Sequence, residues 1–110
     1  MLGVDIVEID RLREMKNFEG FCEKVFSAAE LEYIRTKEPY ETAAGLWAAK
    51  EAVAKALGSG FSGGFSPKSI EIAHDASGAP RARAGEFAFE ISISHERRYA
   101  VAVAMRRTRD

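Results

Sequence analysis

The sequence has 110 residues, is 46% hydrophobic and 30% charged, and carries a formal net charge of −1 from 16 basic and 17 acidic residues. This length suits one domain with a modest core, and the near-neutral balance argues against general nucleic-acid binding, which draws on a large basic excess. No apolar run approaches the ~20 residues of a membrane span, and the single cysteine, Cys22, cannot close an internal disulfide, which suits a reducing cytoplasm.

The N-terminus runs straight into Leu2-Gly3-Val4-Asp5-Ile6-Val7 and lacks the basic start and cleavage site of a signal peptide. Residues 2–9 read as a strand, with Val4 and Ile6 on one face and Asp5, Val7 and Ile9 on the other. Both faces are largely apolar, so substantial burial is expected. Asp5 is then a carboxylate among apolar neighbours, and it needs either hydrogen bonds from a helix end or a metal. Asp10 is placed to cap a short helix over residues 11–16. Phe18, Phe21, Val25 and Phe26 recur at helical spacing and predict a second short helix whose aromatics belong to the core. Cys22 reads as a half-buried residue on that helix. Ser27-Ala28-Ala29-Glu30 is a capping box that opens a further helix to about Thr36. Lys37 to Pro39 breaks it.

A long helix follows from about Thr42 to Leu57, rich in strong helix formers. Leu46, Ala49, Val53, Ala56 and Leu57 share one stripe, predicted to face the core. Gly58 follows the last apolar residue, where a left-handed cap is expected. Glu51 and Lys55 stand four apart and neighbour each other on the helix surface. Their plain reading is an exposed ion pair worth ~0.2–0.5 kcal/mol. Residues 58–67 form a glycine-rich loop that matches neither GxxxxGK[ST] nor GxGxxG. It reads either as a connector or as backbone N–H groups brought near a ligand.

Lys68 to His74 alternates as a strand, Asp75 to Gly78 is a turn, and residues 80–84 form a weak strand. Phe87 to Ser94 and Tyr99 to Met105 make a hairpin across His95-Glu96-Arg97-Arg98. His95 sits where the first of these strands ends, a usual place for a functional side chain, although a lone histidine there is more often structural or exposed. The basic end, Arg106-Arg107-Thr108-Arg109-Asp110, reads as a solvated tail. Helices early and antiparallel strands late predict an α+β fold, a small antiparallel sheet packed against helices with one long central helix.

The side-chain inventory narrows the chemistry. There is no Cys/His cluster for zinc and no nucleophile elbow or Ser-His-Asp set. Asp5 and Glu51 are carboxylates in ordered segments, and hard oxygen ligands in that number suit Mg²⁺ with waters and substrate phosphates. Lys55, one turn from Glu51, can neutralise a phosphate oxygen. Together these suggest phosphoryl-type chemistry, although spacing alone does not bring residues 5 and 51 together.

Three blocks resemble the holo-acyl-carrier-protein synthase family, the small 4'-phosphopantetheinyl transferases. Gly3-Val4-Asp5-Ile6-Val7-Glu8-Ile9-Asp10-Arg11 is similar to the family's opening G-[IV]-D-[IL]-x-E-[IL]-x-R. Trp47-Ala48-Ala49-Lys50-Glu51-Ala52-Val53-Ala54-Lys55-Ala56-Leu57-Gly58 resembles [FW]-A-A-K-E-A-x-x-K-A-[LF]-G. Ile91-Ser92-Ile93-Ser94-His95 with Tyr99-Ala100 resembles [VI]-S-[IL]-[ST]-H-x-x-x-[YF]-A. The resemblance implies a single transferase domain over residues 1–110 that moves the phosphopantetheine arm from coenzyme A to a serine of apo acyl carrier protein, releasing adenosine 3',5'-bisphosphate. It makes Asp5 and Glu51 the Mg²⁺ ligands, Lys55 a phosphate contact and catalytic group, and His95 a substrate-side group. It places coenzyme A contacts at Lys50, Lys55, Gly58, His95 and Arg97. Arg11 is implied to meet the acidic carrier, and Glu8 matches the motif without a defined role. A cytoplasmic homotrimer of fatty acid biosynthesis, with active sites between subunits, is also implied. Two departures stand out: Leu46 replaces a frequent family arginine that serves the nucleotide's phosphates, and the stretch from Arg81 to Phe89 is short, so that a helix usual there is reduced or missing. The competing reading is a non-catalytic module that binds coenzyme A or a carrier protein.

Overall fold

Strand-forming residues open and close the chain, and helix formers fill its middle. The computed structural model describes residues 1–58, 60–62 and 65–107. β1 (Leu2–Glu8) leads into α1 (Ile9–Arg13), α2 (Phe18–Val25), α3 (Ala28–Arg35) and the long α4 (Pro39–Ala56). Short 3-10 turns at Gly60–Ser62 and Pro67–Ser69 precede β2 (Ile70–His74), β3 (Pro80–Ala84), β4 (Phe87–His95) and β5 (Tyr99–Arg106). The strands form one sheet in the order β1-β5-β4-β3-β2, every pair antiparallel. This is the expected α+β arrangement. The N-terminal strand pairs with the C-terminal one, Asp5 opposite Ala102 and Gly3 opposite Ala104.

α4 packs on one face of this sheet, chiefly against β1 and β5. Small residues on both sides let the backbones come close: Ala100, Ala102 and Ala104 are buried, as are Ala48, Ala49, Ala52 and Ala56 on the helix. Ile9, Leu12, Phe26, Ile70 and Phe89 complete the core.

Local rules explain the helix ends. The capping box at α3 forms as read: Ser27 Oγ accepts from the Glu30 N–H at 3.3 Å, and Glu30 Oε1 accepts from the Ser27 N–H at 2.8 Å. α4 begins three residues earlier than expected, because the Glu38 carboxylate caps it by accepting from the Tyr40 and Glu41 N–H groups, and Pro39 fits the first turn. Its C-terminus meets Gly58 at φ +87°, the left-handed position expected. Asp10 does not cap α1. The chain turns directly from β1 into the helix, the Ile9 N–H donates to Arg98 O at 2.8 Å, and Asp10 bonds Arg13 within the first turn. α1 therefore ends at Arg13 instead of reaching residue 16.

β1 is buried on one face only. Val4 and Ile6, expected inside, are 57% and 63% exposed, because the helices cover a single side of the sheet. Residues 81–89 hold β3, a turn and the start of β4, with no helix. Part of the expected glycine loop, Ser59, Gly63 and Gly64, lies outside the described residues, as do Thr108 to Asp110.

Candidate active site

The topology brings the two sequence-distant carboxylates together. Asp5 lies on the helix-facing side of β1 and is buried. Lys55, in the last turn of α4, donates from Nζ to Asp5 Oδ1 at 2.8 Å and to Val4 O at 3.3 Å. The bond to Asp5 is the main reason the Lys55 ammonium is held above its usual range. Its side chain is otherwise open to solvent. Glu51 sits one turn earlier and is half-buried. Burial first, and then the negative charge of Asp5, push the Glu51 carboxyl up, while Lys55 and Arg11 pull it back. Arg11, exposed on α1, thus stands within electrostatic reach of Glu51.

Asp5 Oδ2 is buried and accepts no hydrogen bond. Such an oxygen is costly unless something else satisfies it. Among the described residues no three His, Cys, Asp or Glu converge on one point, so the chain offers two carboxylates. An orphaned carboxylate oxygen beside a second carboxylate fits a hard cation that keeps waters and substrate oxygens in its remaining positions, as Mg²⁺ does.

The other expected residues are more scattered. His95 ends β4, two strands from Asp5 across β5 and two residues further along the register. It lines a cavity of about 320 Å³ with Tyr33, Lys37, Leu46 and His74. There the Tyr33 and His74 rings stack with centroids 3.9 Å apart, and Lys37 Nζ lies 5.7 Å from the Tyr33 ring. Burial, then the Lys37 charge, hold the His74 imidazole below its usual range. In the sequence, Tyr33, Lys37 and His74 carry no motif, and their signals are His74 at a strand end and Lys37 at a helix break. Leu46 is buried, so its side chain is core. Gly58 is exposed beyond α4, and Arg97 is exposed in the β4–β5 turn. Glu8 occupies the cap position of α1 without a side-chain cap bond.

Lys50 departs from expectation. It is 0% exposed, and its ammonium pairs with Glu30 Oε1 at 2.8 Å and donates to Pro67 O at 2.8 Å and to Ile70 O. One residue along a helix is a rotation of about 100°, enough to turn Lys50 inward while Glu51 looks toward β1. Its charge is spent on partners inside the fold. Cys22 is also interior, its thiol pushed up to about 11 by burial and by Glu19, which makes it a poor nucleophile.

Comparison with known proteins identifies the family and the fold. The chain is similar to the holo-[acyl-carrier-protein] synthase of Caldicellulosiruptor bescii, 46% identical over 116 residues and covering 94% of each chain. It is 44% identical over 118 residues to that of Clostridium acetobutylicum, covering 94% of each. Among solved structures, the Helicobacter pylori holo-[acyl-carrier-protein] synthase in complex with coenzyme A superposes with a TM-score of 0.88 at 29% identity, covering 97% of this chain and 100% of that one. The Bacillus anthracis holo-(acyl-carrier-protein) synthase in complex with CoA (3',5'-ADP) gives 0.86 at 32% identity, covering 96% and 93%. The sequence model described as the 4'-phosphopantetheinyl transferase superfamily matches residues 1–104, and the chain belongs to that superfamily.

Proposed function

We propose that this chain, acting as one transferase domain, moves the 4'-phosphopantetheine group from coenzyme A to a serine of apo acyl carrier protein. The serine Oγ attacks the pantetheine-side phosphorus in line. The new O–P bond forms as the pyrophosphate P–O bond breaks, the hydroxyl proton is released, and adenosine 3',5'-bisphosphate leaves. The observation that carries this reading is the junction of β1 and α4, where Lys55 meets Asp5 at 2.8 Å beside an unsatisfied Asp5 oxygen. Lys55, reaching into solvent, is suited to bind a phosphate oxygen and hold it in line. Asp5 and Glu51 are the residues that would hold Mg²⁺, and the ion would supply charge neutralisation at the pyrophosphate. His95, Gly58 and Arg97, each exposed, are proposed to contact coenzyme A, and Arg11 an acidic carrier.

The reading extends to a homotrimer working in the cytoplasm, in fatty acid biosynthesis. Support for assembly comes from the outer face of β1 and β5, where Leu2, Val4, Ile6, Val101, Val103 and Met105 are exposed. A contiguous apolar patch of this kind marks an interaction surface. Support for the compartment comes from the unpaired thiol of Cys22.

The test is the intact mass of an apo acyl carrier protein after incubation with this protein and coenzyme A, with Mg²⁺ or with EDTA. The expected result is a gain of one phosphopantetheine arm with Mg²⁺ only. No gain across a panel of carriers, with coenzyme A binding retained, would replace the transferase by a binding module.

A further inference from the structure

We infer that Gly3 is a positioning residue for the Asp5, Glu51 and Lys55 group, because its missing side chain sets how closely β1 approaches α4. The inference rests on the proposed role of those three residues. Gly3 and Asp5 lie one step apart on the buried face of β1. A Cβ at Gly3 would overlap Ala52 O and stand 3.0 Å from Ala52 C and 2.7 Å from Ala56 N. These are backbone atoms of α4, so no change of rotamer makes room. Backbone conformation is not the reason for glycine here, since Gly3 is absent from the glycines with positive φ. Space is the reason.

The seam runs through the site itself. Ala52 and Ala56 directly follow Glu51 and Lys55 on α4. Ordinary contact begins at 3.4 Å, so a methyl group at position 3 forces the β1 and α4 backbones apart, by as much as an ångström where the strand takes up the whole overlap. The Lys55–Asp5 bond is 2.8 Å, and an added ångström takes it beyond hydrogen-bonding range. β5 gives no slack, because Ala104, opposite Gly3, is fully buried. A displacement of about 1 Å at reacting groups costs ~10²-fold in rate. A residue that served only stability would lower the melting temperature and leave the metal and rate constants alone. A positioning residue changes divalent affinity and kcat, with little effect on KM for the carrier.

The experiment compares wild type and Gly3→Ala in two readouts: Mn²⁺-induced broadening of NMR signals from residues 5 and 51 in the substrate-free protein, and steady-state transfer. Wild type should show broadening centred on Asp5 and Glu51. Gly3→Ala should bind Mn²⁺ at least tenfold more weakly and lose kcat by about 100-fold, the scale of an ångström misplacement, with carrier KM within about twofold. If Gly3→Ala does not fold, Ala56→Val decides, as a second wedge at a buried position of α4 beside Gly3, with the same pattern of effects. Ile72→Ala, which thins the core at β2, should keep wild-type Mn²⁺ binding despite lower stability. Wild-type Mn²⁺ affinity and kcat in the folded seam variant would overturn the role of Gly3, and so would equal losses in Ile72→Ala. No broadening at residues 5 and 51 in wild type would instead overturn the metal-site reading beneath it.

Discussion

Lys50 and Glu30 form an ion pair sealed from water: Nζ stands 2.8 Å from Oε1, with the side chains 0% and 1% exposed. Each charge is also fully hydrogen-bonded. Glu30 accepts from the Ser27 N–H at 2.8 Å and the Ile72 N–H at 2.7 Å, and Lys50 donates to the Pro67 and Ile70 carbonyls. The pair joins α3 to α4 and fixes the entry of β2. Removing one partner leaves a buried uncompensated charge, which costs about 3–5 kcal/mol. Lys50→Met should therefore destabilise the fold by that amount in chemical denaturation. Adding Glu30→Gln should recover part of the loss. A double variant no better than the single one would mean that the carbonyl bonds, and not the charge pairing, dominate.

Glu51 is held in the opposite way. Burial and the Asp5 carboxylate both disfavour its charged form, so the native state without a cation carries a local repulsion. Glu51→Gln keeps the shape and removes the charge. Transfer activity should vanish while the melting temperature stays level or rises slightly. An active, folded Glu51→Gln protein would remove Glu51 from the proposed Mg²⁺ site, and an inactive protein that has lost its cooperative melting would show a structural defect instead.

His74 predicts a pH dependence of stability. Burial and the Lys37 charge hold its folded-state pKa below the ordinary 6.5. Just below 6.5 the unfolded chain therefore binds the proton more readily than the native state. The His74 contribution is complete above the unfolded value and is lost as the pH falls through the window beneath it. Denaturant midpoints measured from pH 7.5 downward, a range about one unit either side of that value, should fall less steeply in His74→Gln than in wild type. Parallel profiles would mean that Tyr33 stacks on the charged ring as readily as on the neutral one.

Much of this molecule is legible in the sequence. The capping box at Ser27, the left-handed Gly58, the β4–β5 hairpin and the pattern of helices before strands all follow from local rules, and local rules hold when neighbours along the chain decide the outcome. The pairing of β1 with β5 is a long-range event that no spacing reveals, and it is what places Asp5 beneath α4. The burial of Lys50 is hidden from the sequence for a related reason. Motif resemblance makes it a ligand contact, but its partner Glu30 is twenty residues away and looked complete as a capping residue. The α4 start at Pro39 was missed because Glu38 acts as a cap, outside the usual Ser, Thr, Asp and Asn set. The exposure of Val4 and Ile6 escaped because an apolar face predicts burial without saying whether the cover is the same chain or another.

That last ambiguity has a direct test. Val4 lies opposite Val103, Ile6 opposite Val101 and Leu2 opposite Met105, so the exposed side chains of β1 and β5 form one block. Ile6 is 63% exposed, and a glutamate there meets water in a lone subunit and costs little. Inside a subunit interface the same carboxylate is buried without a partner, at several kcal/mol per copy. Ile6→Glu should therefore sediment as a monomer where wild type sediments as a trimer, and its melting temperature should no longer depend on protein concentration. Transfer activity should fall with the trimer if, as the family resemblance implies, the active sites lie between subunits. A wild-type protein that sediments as a monomer, or an Ile6→Glu trimer, would assign this face to another partner. A fully active Ile6→Glu monomer would separate assembly from catalysis and place the whole site on one chain.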